Sequence, residues 1–133
     1  YPAPEMYALV GDVEAYPQFL PGCINATVEH SEGPRVRARL GFRVKGLSDS
    51  FATENLHDTG RIEMRLLDGP FRALTGCWEF LPITERACKV TLQLDLDFGN
   101  RLLESTLAPW VDRAVVEVME AFRLRAGALY GGS

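Results

Sequence analysis

Two histidines, three cysteines and one close pair of aspartates are the residues of this chain best suited to making or breaking bonds. Cys23, Cys77 and Cys88 are odd in number, far apart and without a Cys-x-x-Cys spacing. A disulfide framework or a structural zinc site needs more ligands at closer intervals, so the thiols read as small buried hydrophobes in a reducing cytoplasm. Asp95 and Asp97 would suit acid–base work as a pair. They alternate with Leu94, Leu96 and Phe98, however, which puts both carboxylates on the wet side of a strand. His57 shares a strand face with Phe51, Thr53 and Asn55, and that would make a polar cluster inside a sheet. For His30 and His57 the simpler reading is a hydrogen-bonded imidazole near a strand end. Phosphate loops, Gly-x-Ser-x-Gly and His-Glu-x-x-His do not occur in the sequence. The expectation is a protein that is not an enzyme, with no catalytic residues, no metal and no cofactor.

Binding chemistry has more to work with. Phe42, Phe51, Phe71, Trp78, Phe80, Trp110 and Phe122 fall at, or beside, positions whose periodicity turns them inward. With Phe19, Leu20, Met64, Leu94, Val115 and Met119 they make the expected wall of an apolar pocket of roughly a few hundred Å³. A packed core explains each of these residues singly, so pattern leaves pocket and solid core as equal readings. Residues 16–22, Tyr-Pro-Gln-Phe-Leu-Pro-Gly, would serve as a mobile lip over the pocket mouth. On the polar side, Arg35, Arg37, Arg39, Arg43 and Lys45 are five of the 14 basic residues, on one strand face with no acid between them. They read either as a solvated face neutralised by neighbouring strands, with Asp95 and Asp97 as partners, or as a contact patch for RNA or anionic lipid.

These residues need elements to hold them. Met6, Leu9, Val10 and Val13 recur at helical spacing, with Pro4 in the first turn where its missing N–H costs nothing. Residues 16–22 hold at most one more helical turn before the prolines redirect the chain. From Ile24 the period becomes two. Val36, Ala38, Leu40, Phe42 and Val44 alternate with the basic residues, and further strands follow over 51–57, 61–67, 73–81 and 88–98. Short turns such as Asp58-Thr59-Gly60 imply antiparallel hairpins. After Gly99-Asn100 a helical stripe runs through Leu107, Val111, Ala114, Val115, Val118, Phe122, Ala126 and Leu129, with Pro109 kinking it or opening its second part. Strands grouped together, then one helix about 40 Å long, specify an α+β domain in which a strongly curved sheet wraps the helix.

The 133 residues suffice for one such domain over 1–130, with 131–133 a frayed tail. A net charge of −4 disfavours a DNA-binding role. No apolar run is long enough to span a membrane, so the expected location is cytoplasmic, with peripheral contact to an inner membrane as an extension.

Several segments resemble a known family. Met6-Tyr7, Leu9-Val10, Asp12-Val13, Tyr16-Pro17 and Phe19-Leu20-Pro21-Gly22 look like the N-terminal signature of the RatA/coenzyme Q-binding START-like proteins. Phe51, Thr53, Asn55, the Leu67-Asp68-Gly69-Pro70-Phe71 segment, Leu74, Gly76, Trp78 and Phe80 continue the match. Ala87-Cys88, Leu94-Asp95, Phe98, Met119, Ala121-Phe122, Arg125-Ala126 and Tyr130 complete it. Gly11, Glu54 and Pro109 depart from the family pattern. The resemblance implies a helix-grip fold around a hydrophobic cavity, with one further strand before Tyr1. It implies two functions: non-enzymatic binding of ubiquinone or a related lipid in support of respiration, and association with the 50S ribosomal subunit that blocks subunit joining. The wider superfamily includes polyketide cyclases, whose acid–base groups this sequence does not supply.

Overall fold

A computed structural model describes residues 1–44 and 47–130, without the side chains of 44, 47, 103, 106, 107 and 110. Lys45, the Trp110 ring and the 131–133 tail, all singled out above, lie outside the described residues.

Helix α1 (Ala3–Gly11) starts with Pro4 and Glu5 in its first turn and buries Ala3, Met6, Leu9 and Val10. It stops short of Val13. Asp12 leaves helical geometry at φ −85°, ψ 71°, while its N–H closes the last turn on Ala8 and Leu9. Val13 instead opens a 3-10 helix (Val13–Gln18) that contains Pro17. In an α-helix the Pro17 ring would meet the carbonyl four residues back, and the tighter winding avoids this.

Six strands follow: β1 (Cys23–Glu32), β2 (Arg35–Val44), β3 (Leu47–Asp58), β4 (Arg61–Asp68), β5 (Ala73–Thr84) and β6 (Ala87–Asp97). They pair only with their sequence neighbours, all antiparallel, in the order β1-β2-β3-β4-β5-β6. Gly33 and Gly60 adopt φ of 57° and 66° at the first and third reversals, where a side chain would be strained. β3 begins four residues earlier than the sequence pattern suggests, because Leu47 to Ser50 pair with the end of β2.

Alternation sorts the sheet into two faces. The inner one carries Ala38, Ile62, Leu74, Trp78 and Phe80, all buried, while Ala52 is buried on the outer face beneath Arg39. Register aligns its residues in rows across strands. One row is His57, Ile62, Trp78 and Leu92; the next is Val36, Asn55, Met64, Gly76 and Leu94.

Helix α2 (Arg101–Tyr130) runs unbroken with Pro109 inside it. It meets the inner face through Phe122, which is 2% exposed, and Ala126, which is fully buried. The Phe122 ring takes edge contacts from Tyr16, Phe19 and Trp78, at centroid separations of 5.4, 5.2 and 5.4 Å. Ala114, Val115 and Val118 are half-buried, as befits residues facing the sheet across a gap. Leu129, expected on the buried stripe, is 52% exposed; Ala126 and Tyr130 make the core contacts of the last turn instead.

Trp78 stacks on Phe80 and is almost wholly enclosed. Trp78→Ala should therefore cost about 3–5 kcal/mol by chemical denaturation, whereas Phe71→Ala, at a half-buried ring, should cost clearly less.

Candidate functional site

The residues expected to line one pocket fall into two groups along the sheet. Phe42, Phe51, Phe71, Leu94 and Val115 surround a partly open cavity of about 190 Å³, together with Leu74, Leu92, Leu96, Val111, Ala114 and Val118. Every side chain in this wall is apolar. Phe71 is the hub of its aromatic side: it stacks on Phe42 at 6.3 Å and meets Phe51 and Phe98 edgewise at 6.0 and 5.7 Å. The β2–β3 strands and the 70–72 turn carry the rings, β5 and β6 supply the leucines, and α2 closes the top with valines and an alanine.

The other expected pocket residues sit elsewhere. Trp78, Phe80 and Phe122 belong instead to the core packed against α1 and the 3-10 segment. Met119 borders a separate hollow of about 310 Å³ with Met6, Val10 and Trp78. Met64 lies on the inner face, with its methyl over Gly76, beside Leu94 but outside the cavity wall.

Phe19 and Leu20 pack on the core end rather than over the cavity. Tyr16 is buried and donates its hydroxyl to the Val10 carbonyl, and burial pushes its pKa far up. The Arg125 guanidinium lies 5.3 Å above the Phe19 ring and donates to Gln18 Oε1 at 3.0 Å. This places the proposed lip as a clamp between α1 and α2, away from the cavity mouth.

Among the polar candidates, Thr53 and Asn55 are both 6% exposed, and the Thr53 hydroxyl donates to Asn55 Oδ1 at 2.8 Å. His57 is half-buried with its ring edge-on to Tyr7 at 5.9 Å, and Gly11 of α1 passes close beside it. Burial lowers its pKa from 6.5. Tyr7 is shifted upward, first by burial and then by the charge of Asp58. These groups border a shallow groove of about 870 Å³ beneath the start of α1, with Arg61 and Glu79. His30 is exposed beside Glu32 at 3.4 Å. The cysteines are half-buried and free, not fully buried as expected; burial raises the pKa of Cys23 and Cys88. Among the described residues no three His, Cys, Asp or Glu side chains gather as a metal site.

The basic strand is largely neutralised by its neighbours. Arg39 reaches Glu29 at 3.3 Å on β1 and Asp68 at 3.0 Å on β4, and donates to Ser50 Oγ at 3.1 Å. Arg35 meets Glu54 at 3.7 Å and Arg43 donates to Ser48. Asp95 and Asp97 are not the partners, because β6 stands four strands away; Asp97 pairs with Arg72 at 3.3 Å instead. Arg37 alone of these four arginines shows no side-chain hydrogen bond or ion pair among the described residues, and it is exposed. Pairs this exposed contribute little to stability.

A curved antiparallel sheet closed over an apolar cavity by a C-terminal helix is a helix-grip architecture. The chain belongs to the polyketide cyclase/dehydrase and lipid transport family, whose model matches residues 1–123. It is 41% identical over 132 residues to the ribosome association toxin RatA of Pseudomonas aeruginosa, covering 98% of this chain and 92% of that one. It is 29% identical over 142 residues to the mitochondrial coenzyme Q-binding protein of Dictyostelium discoideum, covering 100% of this chain and 67% of that one. The Zhui aromatase/cyclase from Streptomyces sp. R1128 superposes with a TM-score of 0.86 at 17% identity, over 99% of this chain and 92% of that one. The fold is therefore the START-like helix grip. Among the described residues no helix is long and apolar enough to cross a membrane.

His57 carries a pH prediction. Its folded pKa lies below the unfolded value of about 6.5, so the folded state holds fewer protons in that range. The stability this contributes is present above about pH 6.5 and is lost as pH falls through the folded pKa. Melting temperatures measured from neutral to mildly acidic pH should fall for the wild type and fall less for His57→Gln.

Proposed function

We propose that this protein binds a hydrophobic ligand, ubiquinone or a related lipid, in the cavity between the inner face of the sheet and α2, and does so without catalysing a reaction. The observation that carries this reading is the wholly apolar 190 Å³ space walled by Phe42, Phe51, Phe71, Leu94 and Val115. Filling it with a guest removes apolar surface from water at roughly 25 cal/mol per Å². Typical ligand sites run to ~300–1,000 Å³, so the space holds a ring or a short chain while the rest of a longer guest leaves through the open side. No acid–base pair faces the cavity, which favours carriage over chemistry; the likeness to an aromatase/cyclase is one of fold. Family membership and the coenzyme Q-binding relative agree in pointing to an apolar guest. No resident cofactor is invoked.

A second reading has its own support. The relative of 41% identity is named a ribosome association toxin, and it matches this chain almost end to end. In this reading the outer surface associates with the 50S subunit in the cytoplasm and blocks 70S formation, with the cavity free to hold its guest. The surface that the sequence pattern offered for this, β2, has most of its charge already spent on Glu29, Glu54 and Asp68. Arg37 remains available for phosphate. Peripheral contact with an anionic membrane would draw on the same residue.

The decisive test of the first reading is mass spectrometry of lipids extracted from the purified protein, followed by titration with an alkylated quinone. Val115→Phe should fill the cavity and weaken binding at least about ten-fold while the protein still folds, at a packing cost of about 1–3 kcal/mol. No lipid recovered and no quinone bound would refute the proposal. The second reading is checked by co-sedimentation with 50S subunits. Arg37→Glu should weaken that association, lessen its salt dependence and leave stability within about 0.5 kcal/mol of wild type.

A further inference from the structure

One row of the inner face joins the apolar cavity to the only buried polar pair on the sheet among the described residues. Leu94, Gly76, Met64 and Asn55 lie side by side on β6, β5, β4 and β3 in continuous register. Leu94 is part of the cavity wall. Beside it Gly76 leaves a notch: a β-carbon there would stand 2.6 Å from the Met64 methyl and 3.2 Å from Leu94 Cδ1. The end of the Met64 side chain thus fills the position that any larger residue on β5 would occupy. Next along the row comes Asn55, at 6% exposure, surrounded by an otherwise apolar face.

The Asn55 carboxamide is half used. Its Oδ1 accepts from Thr53, and among the described residues Nδ2 makes no hydrogen bond to protein. Nδ2 is not fully enclosed, so its two N–H groups remain accessible to a guest that reaches this part of the face. Thr53 meets the amide at Oδ1, which leaves Nδ2 as the end offered to a guest. Met64 is the one movable piece in the row, since an unbranched thioether with three rotatable bonds repacks readily.

We infer that Met64 is a displaceable wall and that Asn55 is the polar end of the ligand site, donating a hydrogen bond from Nδ2 to a carbonyl oxygen of an otherwise apolar guest, with Thr53 as its positioning residue. This rests on the cavity being a binding site, and deepens it by naming the chemical class of guest: a ring or chain ending in a carbonyl, such as a quinone or an aryl ketone, rather than a plain hydrocarbon. Swinging the Met64 side chain out of the Gly76 notch extends the cavity from Leu94 toward Asn55, which also enlarges a space otherwise below ordinary ligand-site volume.

The test uses two compounds of matched shape, an alkylnaphthoquinone and the alkylnaphthalene of the same chain length, titrated against wild type and variants by tryptophan fluorescence. The wild type should bind the quinone more tightly. The Thr53→Val/Asn55→Leu double variant, which leaves neither polar partner orphaned, should lose about five-fold in quinone affinity and little for the hydrocarbon. Met64→Ala should tighten quinone binding by opening the passage. The unmodified protein supplies an independent reading: the carbonyl stretch of bound quinone should move to lower frequency than in alkane solvent. An unchanged quinone-to-hydrocarbon ratio in the double variant, or an unshifted carbonyl band, overturns this inference while binding of both compounds leaves the cavity reading standing. Failure of both compounds to bind overturns the two together.

Discussion

Phe122 holds the concave side of this molecule together. It brings one turn of α2 against Trp78 of the sheet while Tyr16 and Phe19 of the preceding segment close around the same ring. Three edge contacts on a residue that is almost wholly enclosed fix the height of the long helix above the strands at that point. Toward its N-terminal half α2 has no second helix beside it, because α1 and the 3-10 turn cover only the Trp78–Phe80 end. The sheet is still apolar there, and the valines and the alanine of α2 are too short to reach it. The cavity at Phe42, Phe51 and Phe71 follows from that difference in cover.

The same difference separates rigid from adaptable parts. At the Phe122 end, large rings interlock and the 3-10 segment is fastened by the Tyr16 hydroxyl and by Arg125 over Phe19. At the cavity end the wall consists of leucines, valines and rings whose faces are in part unopposed. A guest entering there gains contacts without having to break any that define the fold, and such an arrangement suits a family whose members handle different molecules on one scaffold.

Much of this architecture could be read from residue order. The strict alternation of Val36, Ala38, Leu40 and Phe42 with arginines defined β2, and the i, i+3, i+4 stripe defined α2. The aromatic count pointed to an apolar interior. What alternation does not encode is position along the sheet: it tells inward from outward, not which inward residues a helix covers. Trp78 and Phe51 therefore looked equivalent, although one packs in the core under α1 and the other lines the apolar cavity. Nor does alternation encode neighbours. The partners of Arg39 became evident only once register set Glu29 and Asp68 on either side of it. The early end of α1 comes from the change of backbone at Asp12, which hydrophobic pattern does not encode. The availability of Asn55 Nδ2 likewise needed the Thr53 hydrogen bond, which no sequence pattern prints.

The unfilled space beneath α2 also makes the folded protein larger than the sum of its atoms and their hydration would require. Unfolding lets water occupy that volume, so compression works against the native state in proportion to the void eliminated. Hydrostatic pressure is thus a variable to which the cavity end of this molecule responds. Any molecule seated in the cavity removes part of that volume change, and the protein that carries it is correspondingly harder to compress out of shape.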